Sequence, residues 1–156
     1  MVELADTLDS KSGAVRRIGS NPILGTNFNK KGNAMDISTL IGKKIDQVRQ
    51  YDDEVIFVCG NEAYNMYHMQ DCCERVYVWD IIGDLESLIG STVLAVSEDD
   101  DDPVDVDYTP HESYTWTIYT LVTDKGTVVI RWLGESNGYY SERVHFGITH
   151  VPMYMR

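Results

Sequence analysis

Asp36-Ile37-Ser38-Thr39-Leu40-Ile41-Gly42 and, 48 residues later, Asp84-Leu85-Glu86-Ser87-Leu88-Ile89-Gly90 decide how this chain is read. The match runs on through Val48 and Asp52-Asp53 in the first copy and Val96 and Asp100-Asp101 in the second. Seven of 18 aligned positions are identical, where ordinary composition gives roughly one by chance. In each copy the Asp suits an N-cap, its carboxylate accepting from free backbone N–H groups. The Leu-Ile pair offers one buried edge, and the Gly suits the left-handed residue that closes a helix. Each copy therefore predicts a helix of one or two turns leading into a strand. Farther on, Glu74-Arg75-Val76 and Glu142-Arg143-Val144 repeat as well.

Outward from these anchors the chain reads as strands. Glu54–Cys59 and Glu62–Met69 flank Gly60-Asn61, a two-residue hairpin signal. Glu74–Ile82 alternates, with Val76 and Val78 on one face and Tyr77, Trp79 and Ile81 on the other. Tyr114–Thr123 sets Tyr114, Trp116 and Ile118 against Thr115, Thr117 and Tyr119. Asp124-Lys125-Gly126 turns the chain into Thr127–Leu133, and Arg143–Thr149 follows, with Val144, Phe146 and Ile148 inward. The fold class expected is α+β, mainly antiparallel β. About eight strands and two short helices would form two α-β-β-β-β units related by a pseudo-twofold, at residues 36–82 and 84–149.

The charge is uneven along the 156 residues. Lys and Arg number 13 against 25 Asp and Glu, a net charge of −12. Residues 1–34 hold five basic and three acidic side chains, so this stretch is +2 and the remainder is −14. The first stretch is rich in Gly, Ser and Asn without periodicity and reads as an extended or flexible N-terminal arm. Residues 35–156 read as a single β-rich domain. The negative excess argues against direct binding to nucleic-acid phosphates or anionic membranes. No secretory leader or membrane span is read in the sequence. Cys59, Cys72 and Cys73 make a poor disulfide framework, so a soluble cytoplasmic protein with reduced thiols is expected. No cofactor is implied, because neither a Gly-x-Gly-x-x-Gly nor a Gly-Lys-[Ser/Thr] phosphate loop occurs.

Three stretches offer chemistry. His68-Met69-Gln70-Asp71-Cys72-Cys73-Glu74 gathers thiol, imidazole and carboxylate, so His68, Asp71, Cys72 and Cys73 are candidate metal ligands. Adjacent strand residues point to opposite faces, which weighs against both cysteines reaching one ion. The same residues allow a nucleophilic cysteine with His68 or His145 as base, although nearby carboxylates raise a thiol pKa. Gly134-Glu135-Ser136-Asn137-Gly138-Tyr139-Tyr140 combines turn formers with Glu135, Tyr139 and Tyr140, which suit contact anchors for a partner. The run from Glu98 to Asp107 includes Asp99, Asp100, Asp101, Asp102, Asp105 and Asp107. It reads as a solvated loop, or as a surface that stands in for DNA phosphates.

The block Tyr67–Val76, then Gly83-Asp84-Leu85 and Leu88-Ile89-Gly90, then Tyr114-Thr115-Trp116-Thr117, Arg131-Trp132 and Gly134–Ser141 together resemble an uncharacterised family of small bacteriophage and prophage proteins. The resemblance covers about residues 38–149. That family carries no assigned activity; it implies a phage-borne accessory protein rather than a housekeeping enzyme. The leading expectation is a non-enzymatic protein that binds a macromolecular partner, most specifically an acidic inhibitor of a basic, nucleic-acid-handling or defence protein of the host. Two alternatives stand beside it: a small metal-binding protein or hydrolase centred on His68, Asp71, Cys72 and Cys73, and a virion component that uses the arm. The oligomeric state is left open.

Overall fold

Among the described residues, short blocks of β-branched and aromatic residues, punctuated by Gly, Asn and Asp turns, fold into eight antiparallel strands. The computed structural model describes residues 35–100 and 113–156. The expected arm at 1–34 and Asp101, Asp102, Asp105 and Asp107 lie outside the described residues. The strands are β1 (Gln47–Gln50), β2 (Glu54–Cys59), β3 (Glu62–Tyr67), β4 (Arg75–Ile82), β5 (Val93–Asp99), β6 (Ser113–Thr123), β7 (Gly126–Ser136) and β8 (His145–Thr149). They form two four-stranded sheets, ordered β1-β2-β3-β8 and β4-β7-β6-β5.

The two helices expected from the repeat are absent, which corrects the α+β assignment to a fold built of antiparallel β-strands. Ile37–Leu40 and Leu85–Leu88 are single 3-10 turns, and a third, Met153–Met155, ends the chain. The reason is length. Between each Asp cap and its Gly there is room for one turn, which closes by i to i+3 bonds. Thr39 N donates to Asp36 O and Ile41 N to Ser38 O; Ser87 N donates to Asp84 O and Ile89 N to Glu86 O. The caps themselves form as read, Asp36 Oδ1 accepting from Ser38 N at 2.7 Å and Asp84 Oδ1 from Glu86 N at 3.0 Å. Gly42 and Gly90 take φ +85° and +80°, a region that other residues enter only under strain. Among the described residues no helix is long and apolar enough to cross a membrane.

The two repeat units exchange strands. Each sheet is a three-strand meander from one copy completed by the fourth strand of the other, β8 beside β3 and β4 beside β7. The junction between copies carries bonds that repeat with the 48-residue shift. Gly42 N donates to Val93 O while Gly90 N donates to Ile45 O; Val93 N donates to Lys43 O while Ile45 N donates to Ser91 O. Leu40 and Leu88, both fully buried, anchor the two turns in the core. The first turn lies against β5 and the second against β1, so each covers an edge of the sheet that starts in the other copy.

One core lies between the sheets, with Phe57, Tyr64, Met66 and Phe146 from one and Val76, Tyr119, Ile130 and Trp132 from the other. Tyr64 stacks on Phe146 at 5.9 Å. The alternation read in Glu74–Ile82 breaks at a bulge between Val78 and Asp80, which returns Ile81 to the core side. Ile148 shares the face of Phe146 but sits near the end of edge strand β8 and is 57% exposed, not inward. Cys59 is a free thiol in the core, its pKa pushed up to about 11 by burial. The C-terminal turn returns across the outer face of the first sheet, Met155 and Val151 covering Ile56, Val58 and Ala63.

Candidate functional site

The loop between β3 and β4 is organised by a carboxylate that the sequence does not single out. Glu74 is buried, and its oxygens accept from the backbone N–H of Asp71 at 2.5 Å, Cys72 at 3.3 Å and Cys73 at 3.1 Å. Its Oε1 lies 3.1 Å from His68 Nε2, while His68 Nδ1 lies 2.8 Å from the carbonyl of Arg143. Both ring nitrogens thus lie within hydrogen-bond distance of oxygen atoms. Burial raises the Glu74 carboxyl. The Asp71 N–H, the His68 side chain and the Cys72 N–H outweigh it and hold the pKa below its ordinary value. The result is a clasp joining the ends of β3, β4 and β8.

This arrangement bears directly on the candidate metal ligands. Cys72 and Cys73 are bonded to each other as a disulfide between adjacent residues in an exposed bend, which corrects the expectation of reduced thiols at this pair. The two sulfurs are paired with each other, and the two His68 nitrogens lie beside Glu74 and the Arg143 carbonyl. Among the described residues no three His, Cys, Asp or Glu side chains converge as a ligand set.

The equivalent loop, between β7 and β8, is also closed by a buried glutamate. Glu142 accepts from Thr115 Oγ1 at 2.5 Å and from Ser136 Oγ at 2.6 Å. The repeated Glu-Arg-Val tripeptide is the sequence signal for these two closures; their burial was not readable from it. Beyond Ser136 the chain turns through Asn137 and Gly138, Asn137 Oδ1 accepting from Tyr139 N. Tyr139 is 82% exposed and packs edge-on against Tyr140 at 5.0 Å. Glu135, expected as a contact residue, is instead buried and accepts from Tyr77 Oη at 3.1 Å.

The acidic stretch and the tyrosine loop, singled out separately in the sequence, are both carried by the second sheet, at different positions along β6. Asp99 ends β5 opposite Ile118, and Asp99 and Asp100 are exposed. The chain re-enters β6 at Ser113, which pairs with Ser136, the residue from which the Tyr139 loop springs. Nearby, Glu98 bonds the hydroxyl of buried Tyr119. Partial burial holds its carboxyl above the ordinary value, and the charges of Asp36 and Asp100 add to the rise.

A different feature escaped the sequence. On the outer face of the second sheet, Arg75 lies over the Tyr77 ring at 4.1 Å, Tyr77 meets Trp79 at 6.3 Å, and Trp79 meets Trp116 edge-on at 5.7 Å. Arg131 stands 5.7 Å from the Trp116 ring and grips Asp80 by two bonds of 2.6 Å. Alternating aromatics in two segments were visible; that β7 lies between those strands, carrying Arg131 and Leu133 beneath the rings, was not.

Neither the curated proteins nor the solved structures contain a match to this chain. Residues 38–146, most of the chain, match a family described as a domain of unknown function, and the chain belongs to that family, DUF7448.

Proposed function

We propose that the protein acts without catalysis, by binding a basic macromolecular partner at the Asp99 end of the second sheet. The observation that supports this reading is the exposed Asp99-Asp100 pair at the end of β5, with the exposed Tyr139 on the β7–β8 loop of the same sheet. Asp99 stands opposite Ile118, midway along β6, and Ser113, at the start of β6, pairs with Ser136. Carboxylates in such density attract cationic surfaces and speed encounter. A protruding tyrosine pair supplies rigid contact area at small entropic cost. Together they suit the phosphate-binding groove of a nucleic-acid-handling protein, which makes the protein a stand-in for DNA. A phage-borne inhibitor of a host defence or nucleic-acid enzyme is the specific form of this reading, and the motif resemblance supports that origin.

The test is capture of partners from bacterial lysate on the immobilised protein, across a salt series, beside the double variant Asp99→Asn/Asp100→Asn and a Tyr139→Ala variant. The reading expects a captured nucleic-acid-binding protein whose retention falls steeply between about 50 and 200 mM salt. It expects weaker capture by each variant. Retention indifferent to salt and to the variants would refute it.

A further inference from the structure

We propose that the outer face of the second sheet, from Trp79 to the groove beside Arg75, is a binding site for a neutral saccharide. This reading is independent of the acidic surface. Trp116 and Leu133 are 5% and 1% exposed, yet neither belongs to the core between the sheets. They are the floor of a separate aromatic layer whose upper members stay open, Trp79 at 45% and Tyr114 at 39% exposed. The rings are tilted to one another rather than coplanar, and half-exposed Trp79 and Tyr114 over a buried floor form a ridged aromatic platform that offers ring surface to the apolar face of a ligand.

At its Tyr77 end the platform opens into a groove of about 690 Å³ lined by Tyr51, Asp52, Asp53, Gln70, Arg75 and Tyr77. The volume falls within the range of small-molecule sites. The lining is mostly hydroxyl, carboxamide, carboxylate and guanidinium, which between them supply both donors and acceptors. Beside the rings, the Arg131–Asp80 fork is preset, with the Asp80 side chain 40% exposed. The platform also holds an unmet demand: Trp116 Nε1 is buried without a hydrogen-bond partner, which is costly for a native donor. The corresponding nitrogen of Trp132 lies in the core, beyond reach of any ligand.

Three ligand classes present flat faces to aromatic rings. Nucleotides carry phosphate, which the carboxylates of Asp52, Asp53 and Asp80 and the overall charge of −12 repel. Extended peptides seek unpaired strand edges, and this platform lies on a sheet face. A sugar ring has polarised C–H groups that pack on the negative face of an aromatic ring, and hydroxyls that pair with carboxylate and guanidinium. Platform and groove supply both, without requiring charge in the ligand.

The experiment is titration of the full chain with neutral oligosaccharides (cellohexaose, maltohexaose, chitohexaose and mannohexaose), read by tryptophan fluorescence and calorimetry. At least one should bind and perturb the emission. Trp79→Ala should weaken that binding at least tenfold with the fold intact by circular dichroism, and Asp53→Asn should weaken it too. Asn61→Ala, in the β2–β3 hairpin at the opposite end of β2 from Asp53, should leave it unchanged. Absence of binding by all four sugars, or binding that survives Trp79→Ala, overturns the proposal. A quenching response to an aromatic peptide alone assigns the face to peptide and overturns it equally.

Discussion

His68 Nε2 lies 3.1 Å from Glu74 Oε1, and the two side chains are only 3% and 0% exposed. A pair this deeply covered is costly to break from one side, because the survivor stays buried without its partner. The Glu74 carboxyl is held below its ordinary 4.5. Its contribution to stability is therefore present above about pH 4.5 and is lost as pH falls through the lower, folded value. Urea midpoints measured between pH 7 and pH 3 should fall along this limb. Glu74→Gln should lower the midpoint at pH 7 and flatten the acid limb. An unchanged acid limb in the variant would contradict the role given to Glu74.

Leu40 and Leu88 occupy matching positions in the two 3-10 turns, and each is fully buried. Truncating a buried leucine to alanine costs about 2–5 kcal/mol. Leu40→Ala and Leu88→Ala should therefore destabilise by similar amounts within that range, as read by denaturant unfolding. A large loss at one site and none at the other would show that the second turn is not an equivalent anchor.

Gly134 permits the β7–β8 loop to dock. A Cβ there would sit 2.6 Å from the carbonyl oxygen of Glu142, so Gly134→Ala must push away the backbone that carries the Glu142 bonds to Thr115 and Ser136. The expected cost is about 1–3 kcal/mol, accompanied by faster amide exchange at Gly138, whose N–H donates to Ser136 Oγ. Gly60→Ala meets no nearby atom, though its φ of +67° makes it a strained change of another kind.

The exchanged strands predict that neither half folds alone. Residues 35–82 lack β8 and residues 83–156 lack β4, so each three-strand meander exposes an edge and its share of the core. Mixed together, the two peptides should assemble one to one, with cooperative unfolding that neither shows separately. Two independently folded fragments would contradict the topology.

Much of this was legible because it is local. Asp36, Gly42, Asp84 and Gly90 announce themselves through cap and turn chemistry, and β-branched alternation marks most strands. The turns were read one class too long, since a cap and a closing glycine do not state how many residues between them stay helical. Strand exchange was hidden because β3–β8 and β4–β7 pairings depend on long-range choices that no local pattern encodes. The same blindness concealed the platform, whose Trp79, Trp116 and Arg131 come from three strands. At the cysteine pair, composition suggested ligands, while the Glu74 clasp and the Cys72–Cys73 bond depend on a bend that alternation does not foretell. Ile148 was misplaced because periodicity gives the face of a residue and not whether anything covers it.

The central functional claim is that the acidic end of the second sheet occupies a site made for nucleic acid. Its most direct measurement is competition: a partner captured from bacterial lysate is challenged with increasing duplex DNA at fixed, low ionic strength. The account predicts that DNA displaces the protein from its partner and that the Asp99→Asn/Asp100→Asn variant is displaced at lower DNA concentration. A complex that forms equally well on DNA-loaded partner would contradict it.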